Sequence, residues 1–291
     1  MGKIFTSILL FLVAGVSTAS AAGGKALPLH PESIFGEDSM FFWITDSMVM
    51  VWMAALLIWL FCRAATKKMS IIPAGFQNFA EWLIEGLYDF FGKILGDHLV
   101  KRTFWFFGGT FLIILVVNYL ALIPGVGTIG TQSADGETFR GFLRGGNADL
   151  NMTAAMSLTF AILWFYWAFT ENGVKGFFAH IFAPKGDFKG VMLFGMVVIF
   201  FLVGILEVVS IMIRPVALSF RLFGNIYGGE QTLGGLMSLV PYDWMRFLPA
   251  LPFTFMELLV GLLQALVFTL LSAVFLKLIC DHGDHHEEDA H

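Results

Sequence analysis

The sequence is poor in charged side chains, which make up 13% of its 291 residues, and rich in apolar ones, which make up 57%. Soluble domains carry about 25% charged residues, so this composition excludes an ordinary soluble protein and indicates a chain that lies mostly in lipid. The formal net charge is -5, whereas nucleic-acid-binding proteins are basic. We therefore expect membrane lipid around the chain and no nucleic-acid partner.

Cysteine is also scarce, since the chain contains only Cys62 and Cys280, each after a long apolar run. Two isolated thiols do not form a disulfide framework. The sequence also lacks a phosphate-binding loop, a dinucleotide fingerprint, a zinc-ligand spacing and a nucleophile elbow. We therefore expect no cofactor, no metal site and no catalytic activity in the chain by itself.

The C-terminal tail, residues 280–291, is polar and acidic. It contains four histidines, His282, His285, His286 and His291. This composition is typical of metal-binding tracts and also of solvated chain ends. We assign the tail no site and place it in the cytoplasm.

Residues 1–21 have the pattern of a signal peptide. Lys3 supplies a positive start, an apolar stretch follows, and a small-residue cleavage pattern ends at Ala21. If the peptide is cleaved, the mature chain begins outside the cytoplasm with an extracytoplasmic segment, 22–40, and the compartment is a bacterial envelope. An uncleaved first anchor is the alternative.

The remainder, residues 41–279, is a membrane domain built from long apolar runs. A membrane-spanning helix needs about 20 apolar residues, and the first three such runs are 41–62, 104–123 and 152–169. The first run is followed at once by Arg63, Lys67 and Lys68, which place its end in the cytoplasm by the positive-inside rule. This orientation agrees with a chain that starts outside.

Two connecting segments differ from these runs. Residues 73–99 combine aromatic residues with charges at spacings of four, a pattern that predicts an amphipathic helix on the cytoplasmic face. Its charged residues are Glu81, Glu85, Asp89, Lys93 and Asp97. The stretch from Gly125 to Asp149 is rich in glycine and polar residues, so we expect an exposed loop.

The stretch from Val191 to Val240 is ambiguous, because fifty mostly apolar residues fit either two short spans or one long, tilted helix. A single helix, kinked at Pro215, keeps the C-terminus in the cytoplasm. The last helix, about residues 245–279, is also long enough to tilt. We therefore predict an all-α polytopic membrane protein with about five crossings and a cytoplasmic amphipathic helix, its last two helices long and strongly tilted.

Polar residues cluster in the last two helices, residues 191–279. A charge inside a membrane-spanning helix costs about 2.5 kcal/mol or more, and such charges usually mark ion paths. At 100° per residue, one stripe of the first of these helices contains Glu207, Ser210, Arg214, Arg221, Asn225 and Gly228. The last helix places Glu257, Gly261 and Gln264 on one face.

A turn near Pro241 would fold the two helices into an antiparallel hairpin. Residues whose numbers sum to about 486 then lie at the same depth. This register puts Arg221 level with Gln264, Asn225 level with Gly261, and Glu230 level with Glu257. Two adjacent carboxyl groups resist double ionisation, so the last pair is a candidate for taking up and releasing protons.

Arg221 is a fixed positive charge, because an arginine does not lose its proton in a protein. No acidic residue of this chain lies on its stripe within two turns, so we expect its partner on another chain. Glu207 is either part of an aqueous route to the opposite face or an interfacial residue. Arg214 beside Pro215 is typical of a side chain that reaches to the membrane surface.

The most specific stretch of the sequence is Arg221-Leu222-Phe223-Gly224-Asn225-Ile226-Tyr227-Gly228-Gly229-Glu230. With it, the chain resembles subunit a, the stationary membrane subunit of F-type ATP synthases, and the likeness extends from about Phe41 to Leu278. Similar stretches are Pro215-Val216-Ala217-Leu218-Ser219-Phe220, Gln264-Ala265-Leu266-Val267-Phe268, Asn118-Tyr119-Leu120-Ala121-Leu122-Ile123-Pro124-Gly125, and Pro73-Ala74-Gly75-Phe76-Gln77-Asn78.

The resemblance implies a function and a set of partners. Two long tilted helices would lie against a rotating ring of small subunits that each carry one carboxylate, alongside a peripheral stalk subunit and the rest of the ATP synthase, in the bacterial inner membrane. Arg221 matches the family's essential arginine. Glu230, Asn225 and Gln264 match polar positions of its ion pathway, and Glu207 matches a carboxylate of the cytoplasmic half-channel.

One departure from the family concerns the carboxylate pair. Some members have a histidine there, whereas this chain has glutamate at both Glu230 and Glu257, so a histidine relay at these positions is excluded. Two other classes of protein compete with this interpretation. A secondary transporter would carry inverted repeats, and we find none. A purely structural assembly subunit would not need Arg221 for ion flux.

Overall fold

In the computed structural model, the described residues are 33–34, 43–67, 69–123, 130–132, 139–141, 144–182, 191–242, 245 and 247–280. The predicted signal peptide, nearly all of segment 22–40 and the tail beyond Cys280 lie outside them. Six α-helices make up most of this part of the chain. They are α1 (Asp46–Thr66), α2 (Phe76–Leu95), α3 (Asp97–Ala121), α4 (Leu150–Phe182), α5 (Val191–Ser238) and α6 (Phe247–Cys280).

All of these helices except α2 are long and apolar enough to cross a membrane, which confirms the predicted polytopic all-α fold with five crossings. The exception, α2, is the helix that the sequence predicts as amphipathic. It follows Gly75, and Gly96 separates it from α3. Both glycines have positive φ, 62° and 80°, a conformation that glycine adopts without steric cost. This allows the chain to turn sharply between α2 and α3.

The helix α4 is longer than predicted, since it continues to Phe182, whereas the third apolar run ends at residue 169. The backbone breaks at Gly173 (φ 66°, ψ 162°), and the part beyond the break packs on α5. Two hydrogen bonds attach α4 to α6: Trp164 Nε1 donates to the carbonyl oxygen of Phe275 at 3.0 Å, and Asn172 Nδ2 donates to that of Ile279 at 2.7 Å.

The helix α5 decides between the two alternatives for residues 191–240. It is one continuous helix of 48 residues with Pro215 inside it, so the version with two short spans is wrong. A straight helix of this length extends about 72 Å at 1.5 Å per residue, against a hydrocarbon layer of about 30 Å. An upright helix of this length would not fit within the hydrocarbon layer, which agrees with the predicted tilt of α5.

The core lies where the five helices α2 to α6 meet. Its fully buried large side chains include Phe91, Phe107, Phe268, Ile114 and Leu222. At the opposite end of α3 from Ala121, an ion pair joins Arg102 to Glu171 of α4. The α5 face away from this core is exposed and apolar. Its exposed side chains include Leu202, Leu206, Val209, Met212, Ile213, Val216 and Phe220.

The predicted exposed loop before α4 is wrong in its last part. Two three-residue strands, β1 (Gly130–Gln132) and β2 (Phe139–Gly141), pair antiparallel. After them, Arg144 to Asp149 are all buried, and Gly146–Ala148 form a 3₁₀ turn. Glycine and polar residues suggested solvent, but here they pack against α1, α3 and α5. We call this end of the bundle the Asp149 end, and the opposite end the Arg102 end.

A close approach between α4 and α5 generates a stability prediction. A Cβ atom added at Gly204 would lie 2.8 Å from the carbonyl oxygen of Ile181, whereas one added at Gly195 meets nothing within 4 Å. Overpacking costs about 1–3 kcal/mol, and removing glycine from a helix gains about 1 kcal/mol. We expect Gly204→Ala to lower the melting temperature of the detergent-solubilised protein and Gly195→Ala to leave it unchanged or higher. Equal melting temperatures would contradict the packing described here.

Candidate functional site

The α5–α6 hairpin brings the predicted polar residues together close to the expected register. Gly229 lies against the carboxyl group of Glu257, and their numbers sum to the predicted value. Nearer the middle of the hairpin, Asn225 Nδ2 donates a hydrogen bond of 2.7 Å to Gln264 Oε1. The partner of Gln264 is thus Asn225, one turn along α5 from Arg221.

Arg221 lies exposed on α5, in an open groove of about 410 Å³ between α5 and α6. The groove is also lined by Ser210 and Arg214 of α5 and by Leu271 and Phe275 of α6. Within the part of the chain that the structure describes, the Arg221 guanidinium makes no hydrogen bond and no ion pair. The expectation that the counter-charge of Arg221 lies on another chain stays a prediction.

At the Arg102 side of the groove, Arg214 and Glu207 form an ion pair. Arg214 Nη2 lies 2.9 Å from Glu207 Oε1, and the two side chains are 20% and 47% exposed. The Arg214 guanidinium also lies over the ring of Phe275, 4.8 Å from its centre. Arg214 is therefore directed to partners inside the bundle, whereas the sequence predicted a side chain directed to the membrane surface.

On the other side of Arg221, toward the Asp149 end, Glu230 and Glu257 line one cavity of about 40 Å³. A water molecule needs roughly 10–15 Å³ of such space, so the cavity is large enough for water. Glu257 is 7% exposed. The Oε2 atom of Glu230 is buried and has no hydrogen-bond partner among the described residues. The two carboxyl groups that the register places at one depth thus line the same cavity, and their joint role in proton uptake and release stays a prediction.

The buried segment before α4 supplies residues that sequence reasoning missed. Arg144 is 6% exposed, and its guanidinium lies over the ring of Tyr227, 6.0 Å from the centre. Arg144 attracts the Glu230 carboxylate electrostatically, and the backbone N–H of Gly145 donates a hydrogen bond to it. A buried cation therefore adjoins the carboxylate pair.

A second group of missed contacts runs through two asparagines. Asn147 Nδ2 donates to Asn118 Oδ1 at 2.7 Å, and Asn118 Nδ2 donates to the carbonyl oxygen of Gly261 at 3.0 Å. Asn118 also lines the cavity. Gly261, which the register placed level with Asn225, thus binds α3. These amides join α3, α6 and the buried segment around the two glutamates.

The start of α1 completes the Asp149 end. Ser47 Oγ donates a hydrogen bond of 2.8 Å to Asp149 Oδ2, and Asp149 Oδ1 accepts one of 2.9 Å from the backbone N–H of Asn151. Asp46 is buried beside Ser47 and repels the Glu230 carboxylate. A sequence signal for this cluster exists, because the polar run from Arg144 to Asp149 contains paired glycines that permit close approach.

The described residues contain no group of three or more His, Cys, Asp and Glu side chains placed to hold a metal ion. What the site can do is handle protons. It has carboxyl groups on either side of Arg221, whose guanidinium has no ion-pair partner in the part of the chain that the structure describes. It also has space for water beside one pair of carboxyl groups, and amides that carry no charge.

A family model described as ATP synthase A chain matches residues 48–277, which covers all five membrane-spanning helices except two residues of α1 and three of α6. The chain belongs to this family. Members are the non-catalytic, proton-translocating subunit of the membrane sector, and the chain is accordingly a multi-pass membrane protein.

Individual relatives are similar to this chain over most of their length. ATP synthase subunit a 2 of Hahella chejuensis is 31% identical over 84% of this chain and 86% of the relative. ATP synthase subunit a of Solidesulfovibrio magneticus is 29% identical over 82% of this chain and 86% of its own. ATP synthase subunit a of Gloeobacter violaceus is 29% identical over 92% of this chain and 94% of its own.

Two adjacent glycines of α5 provide a matched test of the carboxylate pair. A Cβ atom at Gly229 would overlap the Glu257 carboxyl group, approaching Oε2 to 2.6 Å, whereas one at Gly228 meets nothing within 4 Å. Because the end of the Glu257 side chain can move, we expect Gly229→Ala to displace it and lower proton flux while the fold is retained. Gly228→Ala should keep more of the flux. The measurement is ATP-driven acidification of vesicles, and greater loss in Gly228→Ala would contradict this geometry.

Proposed function

We propose that this chain is the stationary ion-translocating subunit of a rotary F-type ATP synthase in the bacterial inner membrane. It forms two offset half-channels that load and unload the carboxylates of a rotating ring, and Arg221 is the charge that separates them. The observation that carries the proposal is the position of Arg221. It is exposed on an apolar helix between the Arg214–Glu207 ion pair and the Glu230–Glu257 cavity, without an ion-pair partner in the described chain.

The first supporting argument is energetic. A charge within a membrane-spanning helix costs about 2.5 kcal/mol or more, and Arg221 has no acidic partner among the described residues. A carboxylate carried by another subunit would supply this partner, and it would be released again when the ring turns. The exposed apolar face of α5, which includes Leu206 and Phe220, suits contact with such a ring.

The second supporting argument is the spacing of the acidic groups. Glu230 is nine residues beyond Arg221, about 13 Å along the helix axis, and Glu207 is fourteen residues before it, about 21 Å. We assign Glu230 and Glu257 to the half-channel that opens at the Asp149 end, outside the cytoplasm. We assign Glu207 to the half-channel that opens at the Arg102 end, in the cytoplasm.

The amide pair has a role in this arrangement. Asn225 and Gln264 are hydrogen-bonded to each other between Arg221 and the Glu230–Glu257 cavity. Neither amide can be ionised, so the pair orients its neighbours without neutralising the arginine. Each proton that crosses supplies about 2.3 kcal/mol per 100 mV of membrane potential, which drives rotation and ATP synthesis. The further partners are the peripheral stalk subunit and the soluble part of the ATP synthase.

The decisive test is Arg221→Ala in the assembled complex. Without the separating charge, the ring carboxylates are no longer released in order, so we expect ATP-driven proton pumping to be lost while ATP hydrolysis and assembly remain. Arg63→Ala is the control, because Arg63 lies on α1 over the ring of Trp59 and has no place in the pathway. Pumping that survives in assembled Arg221→Ala would overturn the proposal.

A second test concerns the carboxylate pair. If Glu257 takes up and releases protons, Glu257→Gln removes the exchangeable group but keeps its shape. We expect lower proton conduction with a changed dependence on pH. Proton conduction that stays the same across the pH range would show that Glu257 is not part of the pathway.

Copurification distinguishes this function from secondary transport. A transporter would be isolated alone, whereas this chain should be isolated with a ring of small subunits and a soluble ATPase. Isolation of the folded chain alone from its native membrane would favour the transporter.

A further inference from the structure

Arg144, the buried cation at the Asp149 end, is not among the residues that we assign to the half-channels above. Arg144 lies in the segment between β2 and α4, which the sequence predicts to be exposed, yet only 6% of it is exposed. Burial of a guanidinium is costly unless the charge is paired. One carboxylate that it attracts is that of Glu230, which is one of the two acids of the cavity.

The backbone around Arg144 fits closely against the same carboxylate. A Cβ atom at Gly145 would overlap Glu230 Oε1, and the N–H of Gly145 donates a hydrogen bond to that carboxylate. A Cβ atom at Gly146 would lie 2.8 Å from Val51 Cγ2. The two glycines therefore let the segment pass between α1 and α5, so that Arg144 reaches a position beside Glu230.

Three contacts hold this segment in place independently of Glu230. Asn147 binds Asn118 of α3, Asp149 binds Ser47 of α1, and the Arg144 guanidinium packs on the ring of Tyr227. Because the anchors come from three different helices, the position of the cation does not depend on its attraction to the carboxylate alone.

The charged groups that act on Glu230 come from three elements. Arg144 attracts its carboxylate, while Asp46 of α1 and Glu257 of α6 repel it. Arg144 therefore offsets the repulsion that two neighbouring acids exert on the Glu230 carboxylate. Without Arg144, the carboxyl groups of Asp46, Glu230 and Glu257 would lie near one another without this attraction.

We propose that Arg144 is a positioning residue of the ion pathway, which holds the Glu230 carboxylate directed at the cavity that it shares with Glu257. This inference rests on the proposed function, since it concerns one of the two half-channels.

The experiment measures ATP-driven proton pumping as a function of pH in vesicles that contain the whole complex. We expect R144Q to shift the pH profile toward alkaline pH by about one unit or more, as for loss of a nearby opposite charge. R144K should restore most of the profile, because it keeps the charge. R102Q is the control: it removes a cation and its ion pair at the other end of the bundle, so its profile should not move.

A combined variant separates this electrostatic role from a purely structural one. In R144Q/E230Q the carboxylate that needs the cation is gone, so R144Q should add no shift to that of E230Q alone. R144Q and R144K could both keep the wild-type pH profile while Arg221→Ala, made separately in the same complex, abolishes pumping. That result would overturn the inference and leave the proposed function intact. If R144Q fails to assemble, E230Q should restore assembly, and its failure to do so would also overturn the inference.

Discussion

The other polar groups of the membrane domain are arranged around the guanidinium of Arg221, which has no ion-pair partner among the described residues. A charge on an apolar helix is tolerated where a partner or water reaches it, and the described chain offers the groove between α5 and α6 instead of an acid. The acids lie farther along the helix in both directions. Glu207 is occupied by Arg214, and Glu230 by the attraction of Arg144. Both arginines thus attract acids of this chain, whereas Arg221 has no ion-pair partner among the described residues.

The fold maintains this separation through the contacts at its two ends. At the Asp149 end, Ser47, Asn118 and Asn147 connect α1, α3 and the segment before α4 around the Glu230–Glu257 cavity. At the Arg102 end, α4 is attached to α3 by an ion pair and to α6 by a hydrogen bond from Asn172. Side-chain hydrogen bonds that cross between helices stabilise their association by about 0.6 to 2 kcal/mol each. The contacts at the two ends therefore help to hold the helices around the α5–α6 hairpin.

Much of this arrangement could be predicted from the sequence, because a membrane imposes simple rules on length and polarity. Apolar run lengths predicted the five crossings, and the turn near Pro241 predicted the pairing of Glu230 with Glu257. Arg144 could not be predicted in the same way. A glycine-rich polar stretch is typical of a loop, and its burial depends on contacts with α1, α3 and α5 that are distant in sequence. For the same reason the contact of Arg214 with an aromatic ring was missed, since the ring of Phe275 lies on another helix.

The account's central claim is that Arg221 keeps two proton routes apart, and the passive proton conductance of the assembled membrane sector tests it most directly. In vesicles with an imposed membrane potential and no ATP, Arg221→Gln should let protons pass between the half-channels without coupled rotation, so the conductance should rise above that of the wild type. Glu257→Gln added to this variant should lower the conductance again, because the leak uses the same route. A conductance for Arg221→Gln equal to that of the wild type, in a complex that still makes ATP, would contradict the claim.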